Sequence, residues 1–214
     1  MIACLLAVAL SAGPVSANWC AVPGRNGTAT LSGVVNTYYP GTASVSAGAT
    51  SIRIGAARGA AQTISAGDLL LVIQMQDATI NTSNNDRYGD GASGGYGSGY
   101  SAIRQSGLYE YVRATNSIGA SGGTLTIQGA TGGGLVNGYN YASAGTTPRK
   151  TFQVIRVPQY ADATISGNVT AAAWDGASGG VVALDVARRL TFSGGSVSVA
   201  GLGFRGGGGA SSGG

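Results

Sequence analysis

The chain has 214 residues, of which 39 are glycine and only 9% are charged, with a net charge of +4. Average proteins carry roughly 7% glycine and about 25% charged residues, so this is not the composition of an ordinary cytosolic enzyme, and 43% hydrophobic content excludes a disordered chain. The sequence contains no histidine, which removes Ser-His-Asp catalysis, His-paired cysteine chemistry and most zinc sites.

In chain order, "MIACLLAVALSAGPVSA" is a short apolar segment ending in small residues. It reads as a secretory signal peptide over residues 1–17, cleaved after Ala17, although no basic residue precedes the apolar core. The apolar stretch is too short to cross a bilayer, which takes ~20 residues, and no later segment is a candidate span. Cleavage removes Cys4 and leaves Cys20, whose pairing partner is then expected outside this chain or further along a longer one. Asn18 and Trp19 separate Cys20 from the cleavage site, which argues against a lipid anchor.

From residue 28 onward, short apolar runs alternate with Gly, Ser, Thr and Asn, the pattern of many short strands. "TATLSGVVNTYYPG" predicts a strand and a Pro-Gly turn, and "SIRIG" a short strand. "AGDLLLVIQMQDATI" predicts the strongest strand, apolar on both faces from Leu69 to Ile73 and alternating from Gln74, as if leaving a sheet centre for an edge. The polar, glycine-rich stretch 81–107 predicts a long loop. In "LYEYVRAT", Leu108, Glu110, Val112 and Ala114 share one face, and Tyr109, Tyr111 and Arg113 the other. A second Gly/Tyr-rich loop spans 132–150. "TFQVIRVPQY" predicts a strand stopped by Pro158, which cannot donate to a ladder.

After Pro158 the rhythm changes. The segments "TISG" (164–167) and "TFSG" (191–194) repeat at a spacing of 27 residues, and "TLSG" (30–33) is a third copy. Repetition of short strands at fixed distance is the mark of a stacked solenoid. Val182, Leu184, Val186, Leu190 and Phe192 make the better inward set, with a turn expected at Arg188-Arg189. The predicted fold is all-β: a β-sandwich or barrel-like domain over 18–158 leading into the first coils of a parallel β-helix over 159–214. An ordinary β-sandwich is the alternative. The tail "RGGGGASSGG" offers no polar cap, which predicts a longer parent chain.

Chemistry-bearing candidates are few. The scattered arginines and single lysine, Lys150, argue against nucleic acid, whose binders gather charge on one face. Paired carboxylates could hydrolyse glycosides, but no spacing pairs them; Asp175 and Asp185 flank the repeat, and Asp175 in "WDGASGG" also reads as a turn cap. Asp86 and Asp90 in "NNDRYGDG" form a weak calcium-loop pattern with Tyr88 where another oxygen ligand is expected; calcium is the single cofactor candidate. Tyrosines beside Gly or Asn suit recognition, because each gives a rigid apolar face with a polar end. Tyr88, Tyr96, Tyr100, Tyr139 and Tyr141 are the candidate ligand contacts, with packing of loops against the sheet as the structural alternative.

Taken in order, "ISAGDLLLVIQMQDATIN", "GLYEYVRATN", "TFQVIRVPQY", "AAAWDGASGGVVALDV" and "GLGFRGG" resemble the N-terminal region of large secreted bacterial surface proteins of the Bacteroidetes and myxobacterial type, some of them adhesin-like or gliding-motility-associated. The likeness spans roughly residues 30–207. It implies export, a long multidomain parent and a β-rich head, and brings no catalytic residues. The expectation is a non-catalytic, secreted or cell-surface adhesin-like protein whose partner is a polysaccharide or another cell-surface component. A β-helix polysaccharide lyase or glycoside hydrolase, and a structural module of an envelope or fibre, are the alternatives.

Overall fold

The computed structural model describes residues 22–80, 100–129, 133–143 and 149–204. Thirteen strands are described: β1 (Thr28–Val34), β2 (Thr37–Pro40), β3 (Ser51–Ile54), β4 (Arg58–Gly59), β5 (Leu69–Gln76), β6 (Thr79–Ile80), β7 (Tyr100–Ala102), β8 (Tyr109–Ala114), β9 (Gly123–Gln128), β10 (Thr151–Val157), β11 (Gln159–Thr170), β12 (Asp185–Phe192) and β13 (Ser196–Val197). The protein is all-β, and no helix occurs among the described residues. None is therefore long and apolar enough to cross a membrane.

Seven strands form an antiparallel sheet in the order β3-β9-β8-β5-β10-β2-β4. It curls into a half-barrel. At one end its two sides meet, where Gly41 bridges Ile54 and Gly55 N donates to Pro40 O at 2.8 Å. The concave side is filled by Tyr39, Ile52, Ile54, Leu70, Val72, Val112, Leu125, Phe152 and Val154. Even-numbered residues of β5, β8 and β10 supply much of this set, as expected where successive side chains alternate between faces.

β5 and β10 lie at the centre, and all seven residues of β10 are buried. Their second face is covered too: Leu69, Leu71, Ile155, Val157 and Tyr38 pack against Ala171, Ala172, Val181, Val182 and Ala183 of the segment that follows β11. That is why "LLLVI" is apolar without alternation. The expected drift to an edge after Ile73 does not occur. Gln74 is buried because its amide replaces a ladder: Nε2 donates to Gln76 O, Asn140 O and Thr151 O, and Oε1 accepts from Asn140 N at 2.8 Å.

The second main sheet is parallel, in the order β1-β11-β12, with β13 also pairing with β11. Its registers set Thr30, Thr164 and Thr191 side by side, and likewise Leu31, Ile165 and Phe192. The three "T-x-S-G" segments are therefore neighbours in space. β1 belongs to this sheet although it precedes Pro158 in sequence, so the half-barrel is an excursion between two adjacent parallel strands. At Pro158 the chain passes from β10 into β11, and Pro158 O accepts from Asp185 N at 2.9 Å, tying in the start of β12.

Two buried amides stitch the sheets together. Asn36 donates through Nδ2 to Ala183 O and accepts through Oδ1 from Ala183 N. Gln153 treats Gly179 the same way, with Nε2 to Gly179 O at 3.0 Å and Gly179 N to Oε1 at 2.8 Å. Each satisfies both polar groups of one residue, as a neighbouring strand would. Gly179 is required there: its φ is +105°, and a Cβ would lie 2.6 Å from Ala172 O.

Two local expectations need correction. Arg188-Arg189 is not a turn. β12 runs through it with a bulge, Ala187 and Arg188 standing opposite Ala161 alone, and the bulge delivers Arg188 to Asp162. The inward set Val182, Leu184 and Val186 does pack on the parallel sheet with Ile165 and Val169. Leu190 and Phe192, in register with the buried Ala163 and Ile165, are 41% and 57% exposed because no strand lies beyond β12 among the described residues.

Candidate functional site

Aromatic side chains divide sharply by position. Tyr38, Tyr39 and Tyr139 are fully buried. Tyr139 belongs to the half-barrel core, 5.6 Å from Phe152 between ring centres. Its hydroxyl donates to Glu110 Oε1 at 3.1 Å. It offers no surface to a ligand, which corrects its assignment as a contact residue. The cause lies in the segment around it. Val45 bridges Tyr139, Leu135 is buried beside it, and Glu110 accepts from Val136 N at 2.8 Å and Asn137 N at 2.9 Å. The described part of the 132–150 loop is thus sewn to the sheet. Gly134 allows this approach, since a Cβ there would lie 2.2 Å from Gly48 O.

Tyr141 stays at the surface, 37% exposed, with its backbone N donating to Ser44 Oγ at 2.9 Å. Tyr100 is partly exposed in β7, which pairs with β6. Tyr88, Tyr96, Asp86 and Asp90 lie outside the described residues, as do residues 1–17 and Cys20. No group of three or more potential metal-ligating side chains occurs among the described residues.

The exposed rings that the sequence reading did not select are on β8. Tyr109 is 60% and Tyr111 44% exposed on the convex face. They stand edge to face, with ring centres 6.3 Å apart and planes at 86°. Arg113 is the next outward residue on the strand. Across the ladder Tyr109 faces Ile73 and Tyr111 faces Leu71. The alternation in "LYEYVRAT" already places both rings on one face; the signal that finds them is this period-two pattern rather than Gly-rich composition.

Among the described residues, Asp175, Asp185 and Asp77 are each engaged locally. Asp175 caps its turn, accepting from Ala177 N at 2.9 Å and Ser178 N at 2.8 Å, and pairs with Arg58 at 2.7 Å. Burial works against its charge, but these amides and Arg58 hold its carboxyl below the usual range. Asp185 accepts from Gln159 Nε2 at 3.0 Å. Asp77 is buried; it accepts from Asn140 Nδ2 at 2.8 Å and Gln105 N at 3.2 Å, and Lys150 stands 3.3 Å from its other oxygen.

Burial pushes the Tyr38 hydroxyl up to about 12 and raises Tyr39 and Tyr160 as well; at Tyr139 burial and then the Glu110 charge act together in the same direction. An unfolded tyrosine ionises near 10. Above that pH the unfolded state sheds protons that the folded state keeps, so stability is complete below about pH 10 and falls as pH rises toward 12. Absorbance at 295 nm should show Tyr38, Tyr39 and Tyr139 ionising only together with loss of the circular-dichroism signal.

Comparison with protein-family models, with curated proteins and with solved structures found no match for this chain.

Proposed function

We propose that the chain is the β-rich head of a secreted or cell-surface, adhesin-like protein that holds a polysaccharide or another cell-surface component without turning it over. The observation that carries this reading is the Tyr109–Tyr111 pair. Two rigid rings project at right angles from a strand whose inner face is locked into the half-barrel. Rings of this kind give large contact area at little cost in conformational entropy. Sugar rings present C–H faces and hydroxyls that such a pair can meet with its faces and phenol groups. Tyr141 adds a further exposed ring.

The parallel sheet supports the finer architectural proposal, that β1, β11 and β12 are the first coils of a parallel β-helix. The Thr30/Thr164/Thr191 register and the near-constant spacing from β11 to β12 are what such coils produce. The resemblance to secreted Bacteroidetes and myxobacterial surface proteins implies export and a β-rich head, in line with the adhesin-like reading.

The test is retention of the purified chain on a panel of polysaccharides. The expected result is binding without turnover, weakened about tenfold or more by Tyr109→Ala with Tyr111→Ala, at an unchanged melting temperature because both rings are exposed. Turnover abolished by Asp175→Ala would establish the hydrolase or lyase reading instead. Neither retention nor turnover would leave the structural-module reading, which the uncovered Leu190 and Phe192 favour.

A further inference from the structure

The outward face of the parallel sheet is polar and ordered in rows. Thr28, Asp162 and Arg189 stand in register, and Thr30, Thr164 and Thr191 form the next outward row. Neighbouring strands lie about 4.8 Å apart, so each row is about 10 Å long. Toward β12 these rows border a depression of about 440 Å³, lined by Asp162, Ala163, Thr164, Arg188, Arg189 and Thr191. Its charge is uneven. Asp162 is committed to Arg188, which donates to both of its oxygens. Arg189 is exposed and has no side-chain hydrogen bond or ion pair among the described residues. The Arg189 guanidinium fork therefore has its donors unused, with the Asp162 charge nearby, beside hydroxyl groups that both donate and accept.

We infer that this depression binds the charged sugar of an acidic polysaccharide, Arg189 taking its carboxylate or sulfate oxyanion and Thr164 and Thr191 its ring hydroxyls. The inference rests on the polysaccharide-binding reading above but uses a different surface. A guanidinium matches a planar or trigonal oxyanion with two parallel hydrogen bonds, which a lysine ammonium cannot do. The Arg188–Asp162 pair gives the floor a fixed charge pattern; Asp162 also accepts from the Arg189 backbone N–H and feels the Arg189 charge, but its carboxylate is hydrogen-bonded by the Arg188 side chain, which leaves the Arg189 fork to an incoming oxyanion. No aromatic ring lines the depression, so it lacks the stacking platforms that nucleic-acid strands use.

Titration calorimetry on the full chain tests it with four probes: an oligogalacturonate, a sulfated oligosaccharide, a neutral gluco-oligosaccharide and a single-stranded oligonucleotide. The expected result is binding of one or both acidic sugars that weakens with added salt. Arg189→Gln should weaken it about tenfold or more, Arg189→Lys by less, and Thr164→Val with Thr191→Val by a smaller factor. Arg53→Gln, on β3, and the Tyr109/Tyr111 double variant should leave it within twofold. The carboxylated and sulfated arms tell which oxyanion is taken. Acidic-sugar binding unaffected by Arg189→Gln, or tighter binding of the oligonucleotide, would overturn the site. Neutral-sugar binding lost with the tyrosines while acidic sugars fail would overturn it and leave the adhesin reading standing. Failure of every sugar would end both.

Discussion

Asp68→Ala should cost about 3–5 kcal/mol of unfolding free energy, because it strands a buried cation. Asp68 and Arg156 are both buried in the floor of the half-barrel. Asp68 Oδ2 accepts from Arg156 Nε at 2.8 Å and from Ser65 N at 2.9 Å, while its other oxygen faces Arg25 at 3.3 Å. Arg25 also donates to Ala66 O at 2.7 Å, so one carboxylate ties the segment before β1 to the turn before β5. Removing it leaves the Arg156 guanidinium desolvated without a counter-charge. A drop in melting temperature on the order of 10 °C is expected. It should change little with salt, since a buried pair is weakly screened. Asp68→Ala with Arg156→Leu should recover much of the loss, because the destabilisation comes from the orphaned charge rather than from a missing attraction. Urea unfolding of the single and double variants measures both.

Phe152→Ala should destabilise by a similar amount, about 3–5 kcal/mol, through the cavity it opens. Phe152 is fully buried in the half-barrel and packs on Tyr139. Its ring also occupies the space where a side chain at position 41 would sit: a Cβ on Gly41 would lie 2.2 Å from Phe152 Cζ. Gly41 accordingly has a packing reason, since it carries the close approach that lets β2 turn across β10 toward β3. Gly41→Ala alone should therefore destabilise by overpacking. In the Gly41→Ala background, truncation of Phe152 to Leu should cost less than in the parent chain. A double-mutant cycle from urea unfolding reads that coupling directly; strictly additive values would refute the contact.

The all-β class and the stacked "T-x-S-G" segments were legible because both depend on local pattern. A strand shows its alternation, and three copies of one short string in register show their neighbours. The two faces of β8 follow from the same alternation, and burial of Val112 and Ala114 shows which of them is inward. What was illegible depends on what covers a strand from outside. Gln74, Gln153 and Asn36 look like surface amides, yet each is buried because it hydrogen-bonds the backbone of a distant segment. Tyr139 sits among Gly and Asn and reads as a loop residue, but those small neighbours are what allow the backbone to press against the sheet. The Arg188 bulge reads as a turn in the sequence, since polar residues interrupting an apolar row look alike in both cases. For the candidate site, composition drew attention to glycine-rich loops, whereas the exposed ring pair stands on a regular strand.

The placement of the half-barrel between β1 and β11 has a kinetic consequence. As the chain leaves the ribosome, β1 emerges early, and its hydrogen-bonding partner is absent until synthesis has passed Asp162. The intervening antiparallel strands pair mostly with nearer segments and can condense first, bringing the two distant ends into reach and lowering the entropy of closing so long a loop. Docking of β1 is therefore expected late, and pulse-labelled hydrogen exchange should show its amides protected after those of β5 and β10.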